Sequence, residues 1–328
     1  MMPVIAFGEA LVDMLSSRLG ESAGNATETF TPYAGGAPAN VAVACARLGV
    51  PSRFLGMLGQ DHFGDFLAAE LTAHGVDTSG VVRTCEARTA LAFVSRDVSG
   101  ERTFDFYRPP AADLLYRLEH LPPGVFAEPA IVHFCSNSLT EPGIADTTLA
   151  MADMASRAGC LVSVDANLRH NLWAGGSADI ALITQLIDRA SLVKLSTDEL
   201  DYLRADHPAD AWLAHRLAAG VRLLVITDGP GEVRAVGVGK ELAHMPPKVD
   251  AVDTTAGGDA FIGGLLAELS HFMEREAGAE EWYQDDEFLQ QALRTAANCG
   301  AHAVTRPGAY AALPDREDLV RLRGESGS

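Results

Sequence analysis

A chain of 328 residues, 48% of them apolar, has material for one large core or two smaller ones. Its formal charge of −19 at pH 7 argues against a nucleic-acid or anionic-membrane partner, each of which needs a basic face, although local amides and a divalent cation can still hold a nucleotide. The five cysteines are scattered without a C-x-x-C pair, and the opening MMPVIAFGEALVDML has no basic n-region and no span-length apolar run, so the expectation is a cytoplasmic protein with reduced thiols.

In chain order, short apolar runs predict strands at VIAF, RFLGML after Pro51, IVHFC ending at Cys135, LVSVDA ending at Ala166, LVKL ending at Leu195 and RLLVIT ending at Thr227. Between them, residues 61–74, 147–158 and 180–189 carry the i, i+3, i+4 apolar spacing of helices. This alternation implies a mostly parallel sheet covered by helices on both faces, with ligands at the carboxyl ends of its strands. Two stretches break the rhythm. TETFTPYAGG (27–36) and ALAFVSRDVSGERTFDFYR (90–108) read as antiparallel strands without helical partners, the second a hairpin turning at DVSG. Together they predict a small discontinuous β lid, from about 16–34 and 88–112, on one domain spanning 1–328. The acidic run at 279–287 is read as a solvated loop and helix start.

Two segments suggest chemistry. AGGAPANVAVACARLG, from Ala34 to Gly49, sets Gly35 and Gly36 at a strand-to-helix turn and Asn40 on the first helical turn. The pattern suits either an ordinary glycine turn or a site where backbone approaches a polyol closely and Asn40 bonds its hydroxyls. DTTAGGDAFIGG, from Asp253 to Gly264, crowds four glycines and two aspartates into the start of an apolar helix. One reading is a capped helix whose Gly263 and Gly264 pack closely on a neighbour. The other is an anion nest, in which the amides of Ala256, Gly257 and Gly258 face a phosphate at the helix N-terminus. A carboxylate at Asp259 beside that phosphate then has one productive role, taking the proton of an attacking hydroxyl. Neither G-x-x-x-x-G-K-[ST] nor a strand-to-helix G-x-G-x-x-G occurs, and TDGPGE, from Thr227 to Glu232, forms a loop at the sheet's carboxyl edge.

The spacing of Gly35, Gly36, Asn40, Gly49 and Gly59, together with DTTAGGDAFIGGL, resembles the two signature motifs of the ribokinase-like (phosphofructokinase B) sugar kinases, and the likeness runs from GEALVD to AVTRPGA. The resemblance implies a ribokinase-like three-layer α/β/α sandwich with a β-sheet lid, and transfer of the γ-phosphate of magnesium-ATP to a sugar hydroxyl. By position, Asp259 resembles the catalytic base, and the amides of Ala256, Gly257 and Gly258 the anion hole, with Ala-Gly-Gly in place of the commoner Gly-Ala-Gly. Asp13, Gly35, Gly36 and Asn40 match sugar-holding positions. Glu199 matches the acidic residue that organises magnesium through water, with Ser196 where many members have Asn. Thr227 and Gly229 match the nucleotide loop, in which Gly231 stands one place off the usual second glycine, and Asn298 is the candidate for the adenine pocket. Asp253 and the carbonyls of Thr255, Ala303, Arg306 and Gly308 match positions that hold potassium. GGAPANVA, FDFYRPPAADLL (104–115) and DANLRHNLW (165–173) look most like the fructokinase branch and bring Arg108, Asn167 and Arg169 to the sugar.

Fructose is therefore the expected acceptor. The alternatives are a 2-keto-3-deoxygluconate kinase, whose substrate carboxylate an arginine would pair, another sugar or nucleoside kinase, and a sensor that kept the fold without the chemistry. Any self-association is expected as a homodimer through the lid.

Overall fold

The computed structural model describes residues 1–17, 27–96, 102–108, 110–275 and 281–325. In chain order, β1 (Val4–Phe7), β2 (Leu11–Ser16) and β3 (Phe30–Gly35) lead into α1 (Ala37–Arg47). There follow β4 (Ser52–Gly59), α2 (His62–Ala73), β5 (Asp77–Thr84), β6 (Leu91–Arg96) and β7 (Arg102–Tyr107). The middle of the chain forms β8 (Ile131–Cys135), α3 (Pro142–Arg157), β9 (Leu161–Asp165), α4 (Ile180–Ile187), β10 (Leu192–Ser196), α5 (Thr197–Arg204) and α6 (Ala209–Ala219). It ends with β11 (Leu223–Thr227), β12 (Val233–Gly237), β13 (Lys240–His244), α7 (Gly257–Arg275), α8 (Asp286–Val304) and α9 (Arg316–Glu325).

Among the described residues nine strands make one sheet in the order β13-β12-β11-β10-β9-β8-β1-β4-β5, parallel except that β12 pairs antiparallel with both β11 and β13. All six apolar runs read as strands lie in it. Period-2 alternation divides their side chains between two cores. Val4, Ile131, Leu161 and Leu192 pack on the side of α1, α7 and α8. Phe7, Val132, Val162 and Val193 pack with α3, α4 and α6. Successive strands β1 and β4 lie on one side of the β1/β8 junction and β8 to β11 on the other, so the chain reverses there and opens a crevice at the strands' carboxyl ends.

The second sheet, β3-β2-β6-β7, has four strands. It begins earlier than the sequence pattern suggests: β2, from Leu11, is an inner strand of it rather than a continuation of β1. LVDML prolongs the apolar run of VIAF, which hides the point where the chain leaves the main sheet; Gly8, at φ 146°, makes that departure. The edge strand β5, with few strong apolar residues, also escapes the pattern. The DVSG turn lies outside the described residues. Cys45, Cys135, Cys160 and Cys299 are buried thiols, and Cys85 is exposed. Among the described residues no helix is long and apolar enough to cross a membrane.

Candidate active site

Two cavities meet at the N-terminus of α7. The first is lined by Glu9 and Asn137 after β1 and β8, Leu11 and Asp13 of the lid, and Asn167 after β9. Asn40, Arg108, Arg169 and Asp259 also face it. The second, of about 360 Å³, is lined by Thr227, Gly229 and Pro230, by Pro246 and Pro247, by Gly257 and Gly258, and by Ala297, Gly300, Ala301 and Val304 of α8.

The glycines of the first motif are required by crowding. Gly36 starts α1 at φ 102°, and a Cβ there would lie 2.6 Å from the Glu9 carbonyl. A Cβ on Gly35 would collide with the Asp13 carboxylate. This tight turn carries Asn40 into the crevice, where its Nδ2 donates to Asp259 Oδ2 at 2.6 Å, while its buried Oδ1 has no protein partner. Glu9 Oε2, Asn137 Oδ1 and Asn167 Nδ2 are likewise buried without protein partners. Unpaired buried polar atoms are costly, so four of them among the residues lining one cavity mark a surface built for a ligand rich in donors and acceptors. Asn167 is one of two non-glycine residues at positive φ among the described residues, at 36°, a conformation asparagine tolerates better than most and that is often stored at functional sites.

The two pairs of glycines in α7 serve different ends. Gly263 and Gly264 pack: a Cβ on Gly264 would lie 2.7 Å from Cys299 Sγ, and one on Gly263 would lie 2.5 Å from Ala44 Cβ. Gly257 and Gly258 open the helix on the floor of the second cavity. The packing reading therefore fits Gly263 and Gly264, whereas Gly257 and Gly258 face a cavity. Asp259 is buried between the two cavities. Burial raises its pKa, and the Asn40 hydrogen bond, then Arg169 and Lys194, act against that rise.

Arg108 lines the first cavity but is committed elsewhere. Its Nε and Nη2 each lie 2.7 Å from Asp113 Oδ2, Nη2 also donates to the Asn137 carbonyl at 3.0 Å, and its side chain is 2% exposed. Arg169, by contrast, is exposed on the cavity lining. Glu9, missed by the sequence reading, accepts from Asn137 Nδ2 at 3.0 Å; burial raises its pKa against the pull of Arg108.

Several expected residues sit differently. Glu199 completes a capping box on α5: Oε2 accepts from the Ser196 amide and Oε1 from the Leu168 amide, both at 2.7 Å, so both oxygens are engaged by backbone. It lines neither cavity. Asn298 is buried in α8 away from the second cavity, whose α8 wall is small and apolar. Helical periodicity places Ala297, Ala301 and Val304 on one face and turns Asn298 off it. Gly231 also falls outside the lining, its amide donating to the Asp228 carbonyl at 2.7 Å. Asp253 binds two loops: Oδ1 accepts from the Thr255 amide at 3.0 Å and Oδ2 from the Gly308 amide at 3.0 Å. The amide of Asp253 donates to the Val304 carbonyl at 3.0 Å, and that of Arg306 donates to the Ala303 carbonyl at 3.4 Å. Among the described residues no group of three or more His, Cys, Asp or Glu side chains could by itself hold a metal ion.

Comparison with known proteins agrees with this geometry. Residues 1–316 match the profile of the pfkB family carbohydrate kinases. Fructokinase-1 of Oryza sativa subsp. japonica is 38% identical over 320 residues, covering 97% of each chain. A crystal structure of fructokinase with bound ATP from Xylella fastidiosa superimposes with a TM-score of 0.93 at 41% identity, covering 99% of each chain. Fructokinase from Vibrio cholerae O395, in a fructose-, ADP- and calcium-bound form, gives a TM-score of 0.86 at 32% identity over 98% of each chain. The ribokinase-like fold, with its large mostly parallel sheet and smaller second sheet, is thus common to all of them, and the chain belongs to the pfkB family of carbohydrate kinases.

Proposed function

We propose that this enzyme transfers the γ-phosphate of ATP to a hydroxyl of D-fructose, giving fructose 6-phosphate. The observation that carries the reading is the placement of Asp259, hydrogen-bonded to Asn40, where a polar cavity meets a larger apolar one at a helix N-terminus. In this reading the sugar occupies the first cavity, with Asp13, Asn40 and the unpaired atoms of Glu9, Asn137 and Asn167 meeting its hydroxyls. Adenosine lies in the second, between the Pro246–Pro247 turn and the α8 wall. The hydroxyl attacks in line, Asp259 takes its proton, and the amides of Ala256, Gly257 and Gly258 hold the charge developing on the transferred phosphoryl group. Magnesium would arrive with the nucleotide phosphates and neutralise part of their charge, and Glu199 would act on it only through water. A sensor would have no use for a buried carboxylate beside a phosphate nest.

Arg108 also favours a neutral acceptor over a keto acid. Its charge is met by Asp113 with Glu9 nearby, which leaves exposed Arg169 as the guanidinium a substrate carboxylate would have to use. ADP formation that depends on added fructose, and that disappears with Asp259→Asn, is the expected result. ADP formation unaffected by any sugar contradicts the proposal.

Two finer assignments accompany it. Asp253 and the carbonyls of Thr255, Ala303, Arg306 and Gly308 would hold a potassium ion, whose charge would steady the loops beside the hole; activity several-fold lower when a bulky organic cation replaces potassium is expected, and equal activity refutes it. A second copy packs on the outer face of the lid, where Phe93 lies between Phe30, edge-to-face at 5.1 Å, and Tyr107, tilted at 5.0 Å, and Tyr107 is 62% exposed. Sedimentation as a dimer supports this, and a monomer at micromolar concentration refutes it.

A further inference from the structure

The central strands carry a buried polar stripe that the mechanism above does not use. Strand pairing sets His133 beside Ser163, Cys135 beside Asp165, and Asp165 beside Lys194. Their side chains share the sheet face that packs on α1 and α7. A lysine in the middle of a buried parallel strand is rare, because taking an ammonium out of water is costly unless a partner and a purpose retain it. Lys194 has the partner: Nζ lies 3.0 and 2.9 Å from the two oxygens of Asp165, and their side chains are 8% and 1% exposed.

Its purpose follows from where the ammonium lies. A Cβ built on Gly258 would be 3.0 Å from Lys194 Nζ, with no other atom within 4 Å except the same side chain's Cε. The ammonium is therefore the nearest group from outside the helix to Gly258, the second residue of α7. The charged groups around it are Asp165 of β9, Glu199 of α5 and Asp259 of α7. Asp259 in turn feels Asn40 of α1, Arg169 after β9, Lys194 and Glu199. His133, the remaining titratable neighbour on the stripe besides the Cys135 thiol, is kept neutral: burial and then Lys194 depress its pKa to about 3. Burial disfavours the charged form of Lys194, but the carboxylates of Asp165, Glu199 and Asp259 outweigh it and raise its pKa.

We propose that Lys194, clamped by Asp165, is a positioning residue of the phosphoryl-transfer site, its ammonium forming a fixed positive floor beneath the anion hole. A preorganised charge there needs no reorganisation when negative charge builds on the transferred group, and it helps to keep Asp259 ionised and ready to take a proton. It also gives a reason for glycine at position 258, where a Cβ would press on the ammonium at 3.0 Å. The proposal rests on the kinase reading but not on the identity of the sugar.

The test uses whichever neutral sugar the wild-type enzyme turns over fastest, so a wrong acceptor assignment leaves it intact. Lys194→Met removes the charge and keeps the length. Its expected kcat is about tenfold to a hundredfold lower, with the sugar KM within about twofold of wild type. The acid limb of its kcat–pH profile moves up by about one pH unit, because Asp259 loses a neighbouring cation. Asp165→Asn moves that limb down, because Asp259 loses a neighbouring anion. A merely structural pair would lower activity in both variants without shifting the limbs in opposite directions. Limbs that stay in place or move together overturn the proposal, as does a Lys194→Met kcat within twofold of wild type. If the methionine variant does not fold, Lys194→Gln, which can still donate to Asp165, is read by the same upward shift, and an unmoved limb in that variant overturns the proposal.

Discussion

The two cavities on either side of Asp259 are built by opposite means. The cavity proposed for the sugar is a cage of carboxylates and carboxamides whose turn glycines let them crowd, and it leaves buried polar atoms unpaired. The cavity proposed for the nucleotide is a wide slot of proline, valine, alanine and glycine, with polar backbone at its floor. One side discriminates through hydrogen bonds, for which a missing partner is heavily penalised; the other gains affinity from apolar contact, which tolerates change. Specificity should therefore be concentrated in the first cavity and affinity spread thinly over the second.

Substitutions on each side can break that contrast. The largest effect is expected at the junction: Asp259→Asn should lower kcat by about 10²–10⁴-fold while ATP binding persists, as measured by steady-state kinetics and calorimetry. Near-normal turnover in a folded variant would remove Asp259 from the mechanism. Because burial raises the Asp259 pKa, and the base must be ionised to act, the wild-type rate should fall with decreasing pH through a value above the ordinary carboxylate range. Next, Asp13→Ala should cost ~2–4 kcal/mol in kcat/KM for the sugar, with the ATP KM unchanged, since buried polar partners lose their match. On the nucleotide side, Ala301→Leu should raise the ATP KM by only about tenfold and leave the sugar KM alone, because it narrows an apolar wall without orphaning a polar group. Comparable, selective losses for the alanine and leucine variants would contradict the division of labour.

The legible parts of the site were those that break a local rule. Glycines at the start of a helix, and a carboxylate among them, have few physical excuses, so Asp259, Asn40 and the paired glycines stood out in the sequence. Residues that obey local rules were hidden. Lys194 sits inside LVKL, which reads as any buried strand; the available signal was one charge in a run with no solvent-facing side. Glu9 and Asn137 lie one or two residues past strand ends, where polar residues are ordinary. Asn298, offered for adenine by its position in the resemblance, lies off the α8 wall of the slot, which is alanine, glycine and valine. In the fold, β2 was hidden because an apolar run does not record a change of sheet.

The most direct test of the account is a side-by-side measurement of kcat/KM for fructose, 2-keto-3-deoxygluconate, ribose and glucose, each with magnesium-ATP as donor. A polar cage whose buried arginine is already paired should accept the neutral ketose, so fructose is expected to give the highest value. A higher value for the keto acid would contradict it and place the substrate carboxylate against Arg169.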